Sequence, residues 1–334
     1  MKWFTEPLGK FVVRIPTDWR YMNKAADYEA KSPFCFEPYS EEVKSSFQIS
    51  CYSANEVKQN PHVPIQNAGT AGLKFDTAFL PDDGDGLRTK LWFATVEDHT
   101  FIAKFIYNIE DEGSERFEKE LGVVEESLSS LRLVEVHDRK KAIEIDRYEK
   151  FMASLSASFD ISTKALENDA VVEFMVITAN QIDAYLRMSI VLKKQLADKT
   201  DDIDIALLFQ GDTDSPVMER TIYKQALSFS IIDQSLFDAL DSLYKERNKV
   251  IHRYIITDLN TRDIYFIAGD YYQVAERVRL ALKAVEDEQA ASKIGIYKNG
   301  LTVAQDISEE DRLLLYSQVN DKHLWKDLAR KISK

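Results

Sequence analysis

The sequence predicts an α+β domain followed by an all-α domain. Three observations carry that expectation. Short runs of alternating apolar residues fill the first 137 positions, as in Phe47-Gln48-Ile49-Ser50-Cys51. The strongest hairpin pattern, 90–96 and 100–107 joined through Glu97-Asp98-His99, lies in the same stretch. Beyond residue 145 the apolar spacing changes from two to about 3.6 residues and stays there. The expected division is residues 1–137, a charged linker at 138–145 and a helical domain at 146–334. At 334 residues the chain is long enough for each part to bury a core of its own.

In the first part, Phe11-Val12-Val13-Arg14-Ile15 reads as a strand stopped by Pro16, with Trp19 just after it. Phe34-Cys35-Phe36 and 47–51 follow as short strands, 73–79 is a further candidate, and the hairpin comes next. Phe117, Leu121, Val124 and Leu128 step by four, three and four, which marks an amphipathic helix. Residues 131–136 are expected to close the domain as a last strand. The whole is an antiparallel sheet with flanking helices. The opening strand with Ile15-Pro16-x-x-Trp19, and the closing helix followed by a strand, resemble PsbP-like domains. That resemblance implies an α-β-α sandwich used mainly for docking.

The second part reads as helices at 146–159, 164–197, 219–229, 233–256 and 269–290, with shorter ones after Ser308 and at 320–332. Ser308-x-x-Asp311 has the spacing of a capping box. The connection 198–216 is acidic and contains Gly211, Pro216 and an apolar patch at 205–209.

The segment Leu243-Tyr244-Lys245-Glu246-Arg247-Asn248-Lys249-Val250-Ile251-His252-Arg253-Tyr254 brings a base, cations and an amide together on one helix. At about 100° per residue, Arg247 falls on the apolar stripe of Leu236, Leu240, Leu243, Val250 and Tyr254. A guanidinium there must be paired. One reading is a buried ion pair, with Glu173 or Asp183 as the expected carboxylate. The other is an anion site, with Arg247 for phosphate, His252 for proton transfer and Asn248 for orientation.

Arg247-Asn248-x-x-x-His252 also resembles the Arg-polar-x-x-x-His motif of HEPN domains, all-α domains of prokaryotic RNases, toxins and defence proteins. The resemblance extends over about residues 145–288, with 170–196 as the long first helix and 219–232 as the helix before the motif. It implies a metal-independent endoribonuclease with Arg247, Asn248 and His252 as catalytic residues. Lys245, Lys249 and Arg253 are the cations placed to hold RNA or nucleotide. A homodimer through the helical domain is also implied, with the motif helix at the two-fold axis. The same fold serves equally as a non-catalytic module for RNA, nucleotide or protein, and that is the preferred expectation, the nuclease being the alternative. A place in a toxin–antitoxin or defence pair goes with either. Arg132 and His137 repeat the spacing, but at a strand end and without the polar residue.

Composition narrows the function further. A formal charge of −13 argues against a general nucleic-acid coat. The excess is uneven: residues 1–138 hold 24 acidic and 15 basic side chains, while the motif segment is locally basic. Eleven glycines and no glycine-rich phosphate loop, Gly-x-Ser-x-Gly or His-Glu-x-x-His remove the common nucleotide-binding, esterase and metalloprotease readings. Asp82-Asp83-Gly84-Asp85-Gly86 lacks the later glutamate of a calcium loop and reads as a turn. Asn60-Pro61-His62-Val63-Pro64 is a proline-marked loop. No cofactor or metal is expected. Cys35 and Cys51 fit a disulfide or two free thiols. The N-terminal residues lack a signal-peptide pattern, and charges interrupt the most apolar helix. A cytoplasmic protein without a membrane span is therefore expected.

Overall fold

The computed structural model describes residues 1–23, 31–39, 45–59, 73–80, 84, 86–211, 214–300 and 308–318. The chain divides into two compact units. One comprises Met1–Asp146 and the segment from Glu309 onward, the other Arg147–Ser308.

The first unit runs β1 (Lys2–Thr5), β2 (Phe11–Ile15), β3 (Trp19–Tyr21), β4 (Phe34–Pro38), β5 (Ser46–Ser53), α1 (Ala54–Gln59), β6 (Asp76–Phe79), β7 (Leu87–Val96), β8 (His99–Asn108), α2 (Glu115–Ser130) and β9 (Arg132–Leu133). Six strands form an antiparallel sheet in the order β3-β4-β5-β8-β7-β6, and β1-β2-β9 form a second one. The alternation that announced the strands sets their faces. Phe47 and Ile49 of β5 lie beside Phe105 and Ala103 of β8, all fully buried. The expected hairpin is β7–β8. Val96 pairs with His99, and Glu97 takes the turn with a left-handed φ of 52°.

Helix α2 begins at Ser114, whose hydroxyl accepts from the Phe117 amide at 3.1 Å, and it buries Phe117, Val124 and Leu128. β1, β3 and α1 were not legible in the sequence, being three to six residues long. The closing strand is shorter than the expected 131–136. It pairs with β2 only at Leu133 and Arg132, and the chain then turns through 135–138. Cys35 and Cys51 are free thiols; burial pushes Cys35 up to about 11 and Cys51 up to about 12.

The helices that follow are α3 (Arg139–Glu167), α4 (Val171–Asp198), α5 (Ile205–Leu208), α6 (Glu219–Ser228), α7 (Gln234–Arg253), α8 (Thr261–Ser292) and α9 (Glu309–Gln318). Residues 139–145, expected as linker, are helical. Their charges have helical spacing, with Lys140 and Lys141 both reaching Glu144, at 3.3 and 3.7 Å. The boundary between the units falls inside α3, between Asp146 and Arg147.

The expected break near residue 160 lies instead at Asn168-Asp169. Ser162 and Thr163 return their hydroxyls to the Phe159 carbonyl at 2.9 Å and stay helical, whereas Asp169 adopts a φ of 54°. Helix α8 starts eight residues before the expected Gly269. Asn260 and Asp263 form a reciprocal capping box there. α9 groups with the first unit, and Lys2 Nζ donates to the Ser317 carbonyl at 3.0 Å. The helix expected at 320–332, the loop around His62, and Asp82, Asp83 and Asp85 lie outside the described residues.

The second unit packs on the apolar faces of α4, α6, α7 and α8. Met175, Ile182, Leu186 and Leu192 of α4 meet Ile222 and Ala226 of α6, Leu236, Leu240 and Leu243 of α7, and Val278 and Leu282 of α8. At about 25 cal/mol per Å², such side chains each contribute on the order of 2 kcal/mol. No helix among the described residues is long and apolar enough to cross a membrane.

Candidate functional site

Arg247 enters the core of the second unit as its stripe position requires. Its side chain is 13% exposed. The guanidinium forms a fork with one carboxylate: Nη1 donates to Glu219 Oε1 at 3.1 Å and Nη2 to Oε2 at 2.8 Å. The planar group also lies 5.1 Å from the centre of the Tyr244 ring. The partner is therefore Glu219, and neither Glu173 nor Asp183. Asp183 instead accepts from Arg187 Nε at 2.6 Å, one turn along α4.

Four helices build this polar cluster inside an apolar unit. α6 supplies Glu219 and Tyr223, whose hydroxyl donates to Glu219 Oε1. α7 supplies Tyr244 and Arg247, α4 supplies Asp183 and Arg187, and α8 supplies Tyr271. Arg187 extends further and donates to the Leu207 and Val217 carbonyls, both at 3.1 Å, holding down the connection between α4 and α6. Arg247 Nε, Asp183 Oδ1 and the Tyr271 hydroxyl are buried without a hydrogen-bond partner among the described residues.

The electrostatics follow from burial. Burial alone pulls the Arg247 guanidinium down, but the hydrogen bonds and charge of Glu219 outweigh it and hold the group above its ordinary value. Burial raises the Asp183 carboxyl, with Arg187 working against the shift. Tyr223 and Tyr271 are both pushed up, first by burial and then by Glu219 for Tyr223.

The remaining motif residues lie elsewhere. Asn248 is half-buried and His252 exposed, and neither side chain makes a hydrogen bond or ion pair among the described residues. Lys245 is tied to Asp241 at 2.7 Å, and Arg220 meets the same carboxylate at 2.5 Å. Lys249 pairs with Glu246 at 2.7 Å. Arg253 is exposed at the end of α7, where its carbonyl accepts from the Thr257 hydroxyl. The structure thus places Arg247 inside the helical core and His252 on its surface. The duplicate spacing also resolves: Arg132 donates to the Ser129 and Leu131 carbonyls, and His137 is exposed beside Glu135 and Asp138.

Beyond His252 the chain leaves α7 through a short 3-10 turn, Tyr254–Ile256, and its surface becomes apolar. Ile251 and Tyr254 are about half exposed, Ile256 is largely exposed, and Ile255 is 94% exposed. Sequence reasoning missed Glu219, Tyr223 and Tyr271 as members of the cluster. A signal for Glu219 was present. It precedes Ile222, Tyr223 and Ala226 at helical spacing, so it is itself a charge on an apolar stripe, the counterpart of Arg247. Among the described residues no group of three or more His, Cys, Asp or Glu side chains is arranged to hold a metal ion.

No protein-family model matches the chain, and no curated protein matches it. Among solved structures the chain is similar to a protein from Bacteroides thetaiotaomicron VPI-5482, determined at 1.50 Å resolution. The two are 15% identical over 55% of this chain and 76% of that one, with a TM-score of 0.27. That likeness is too distant to carry an argument about either protein.

Proposed function

We propose that the helical unit is a non-catalytic binding module that takes a protein segment at the C-terminal end of α7. The observation that carries this reading is the commitment of Arg247 to Glu219. A guanidinium whose Nη1 and Nη2 are held by a mostly buried carboxylate, and whose remaining Nε–H is itself buried, is neutralised and turned into the core, away from any phosphate at the surface. Breaking that pair to stabilise a phosphorane would leave a carboxylate stranded in the core.

What the end of α7 does offer is an apolar ledge, Ile251, Tyr254, Ile255 and Ile256, beside His252 and Arg253. Exposed aliphatic side chains next to a cation suit an apolar peptide carrying acidic residues. Single-stranded RNA needs several aromatic platforms, and the ledge has one. The resemblance to HEPN and PsbP-like domains is compatible with such a docking role in both parts of the chain.

The test has two arms. Peptides selected on the purified chain are expected to be apolar and acidic, and Ile255→Asp with Ile256→Asp should abolish their binding. Mixed RNA incubated with the chain should stay intact. RNA cleaved by the wild type but not by His252→Ala would replace the module with the nuclease reading. Such cleavage should then persist in EDTA and leave 2′,3′-cyclic phosphate ends, because the neighbouring 2′-hydroxyl would be the nucleophile.

A further inference from the structure

Helix α8 buries one face in the second unit through Ile264, Ile267, Ala268, Tyr271, Val274, Ala275 and Val278. Its opposite face has the makings of a surface. With Gly269 at zero and about 100° per residue, Arg262, Tyr265, Phe266, Tyr272, Gln273 and Glu276 all fall within about 60° of it. Tyr265, Phe266 and Tyr272 are 48%, 61% and 64% exposed. Three outward aromatic rings in two turns are far more than a solvated helix face needs. At their centre a Cβ on Gly269 would meet open space.

The order of these residues is self-complementary. Reversing the helix about Gly269 exchanges Arg262 with Glu276 and brings Tyr272 beside Tyr265. We infer that this face of α8 is where a second copy of the chain docks, the two α8 helices crossing antiparallel on a two-fold axis at Gly269. On one flank each Tyr265 then stands beside the partner's Tyr272, within about 2 Å along the helix axis, while on the other flank each Phe266 stands beside the partner's Gln273. Each Arg262 stands level with the partner's Glu276, about 10 Å from the axis on either side. The glycine lets the two backbones approach where they cross.

Charge complementarity singles out the second copy as the occupant. Arg262 has no carboxylate partner among the described residues; its guanidinium lies 5.4 Å from the centre of its own Phe266 ring. Glu276 is fourteen residues away on the same straight helix, about 21 Å, so the two cannot meet within one chain. Glu276 does pair with Arg279 at 2.7 Å, but both groups are exposed and the carboxylate has lone pairs to spare. This contact is independent of the peptide-binding ledge, and either can fail without the other.

Sedimentation of the full chain at about 50 μM should give a dimer, within the range of helix-mediated association. Gly269→Glu sets two carboxylates against each other on the axis. It should weaken association more than about tenfold, while helix content by circular dichroism is unchanged. Arg262→Glu and Glu276→Arg should each weaken it about tenfold, and the double reversal should restore it. A monomer at that concentration overturns the inference. So does a dimer indifferent to Gly269→Glu, or two charge reversals whose effects simply add.

Discussion

Arg247 shows how a charged side chain can be built into a helical core when a carboxylate from a neighbouring helix meets it. Replacing it by Ala leaves Glu219 buried opposite nothing. The chain should lose about 3 kcal/mol in urea unfolding, the lower end for a broken buried pair because Glu219 keeps its bond from Tyr223. Arg247→Lys keeps the charge but not the fork and should cost about 1 kcal/mol. His252→Ala, on the surface, should change stability by less than about 0.5 kcal/mol. Asp183 makes a prediction in pH. Its carboxyl holds a proton to higher pH in the folded chain than in the unfolded one. Its contribution is therefore full below the ordinary Asp value of 3.8 and is lost as pH rises through the raised folded value. Wild type should accordingly lose stability relative to Asp183→Asn from about pH 4 upward, and urea titrations at several pH values will show whether the two curves diverge.

Between elements, a buried amide does what the apolar core does not. Gln289 of α8 is fully buried. Its Nε2 donates to the Leu192 carbonyl at 3.0 Å and to Gln195 Oε1 at 2.9 Å, while its Oε1 accepts from the Tyr297 amide at 3.0 Å. One side chain thereby fixes α4, the end of α8 and the turn after it. Gly295 lies against that amide with a φ of 84°, so a Cβ would both strain the backbone and collide with Gln289. Gly295→Ala should cost about 2 kcal/mol or more, read by thermal unfolding of the helical signal. At the other end of α8, Asn260→Ala removes the capping box and should cost about 1 kcal/mol by the same measurement.

At the scale of the whole molecule, the two cores share no residue. One is built on Phe11, Phe47, Phe101 and Phe105, the other on Met175, Ile182, Leu240 and Val278. Trp3, Trp19 and Trp92 belong to the first unit, while the longest helices lie in or run into the second. Tryptophan fluorescence and the 222 nm helical signal should therefore report different denaturant midpoints. Phe47→Ala should move the fluorescence transition by about 3–5 kcal/mol and leave the helical one nearly in place, and Leu240→Ala should do the reverse. Coincident transitions for wild type and both variants would show that the units unfold together.

Periodicity by itself determined the α+β region, the all-helical region, the β7–β8 hairpin and most helix cores, because burial of one face leaves a repeat of two or 3.6 in the chain. It also determined that Arg247 needed a partner. Helix starts at Arg139 and Thr261 were hidden, since charged pairs and capping residues carry no apolar period. Which carboxylate met Arg247 was decided by tertiary structure alone. Glu173, Asp183 and Glu219 are alike as charges near apolar stripes, and only the packing of α6 against α7 selects Glu219. The same holds for what lies exposed. Ile255 and Tyr272 are as apolar as any core residue, and their exposure follows from which helix face the rest of the unit left uncovered.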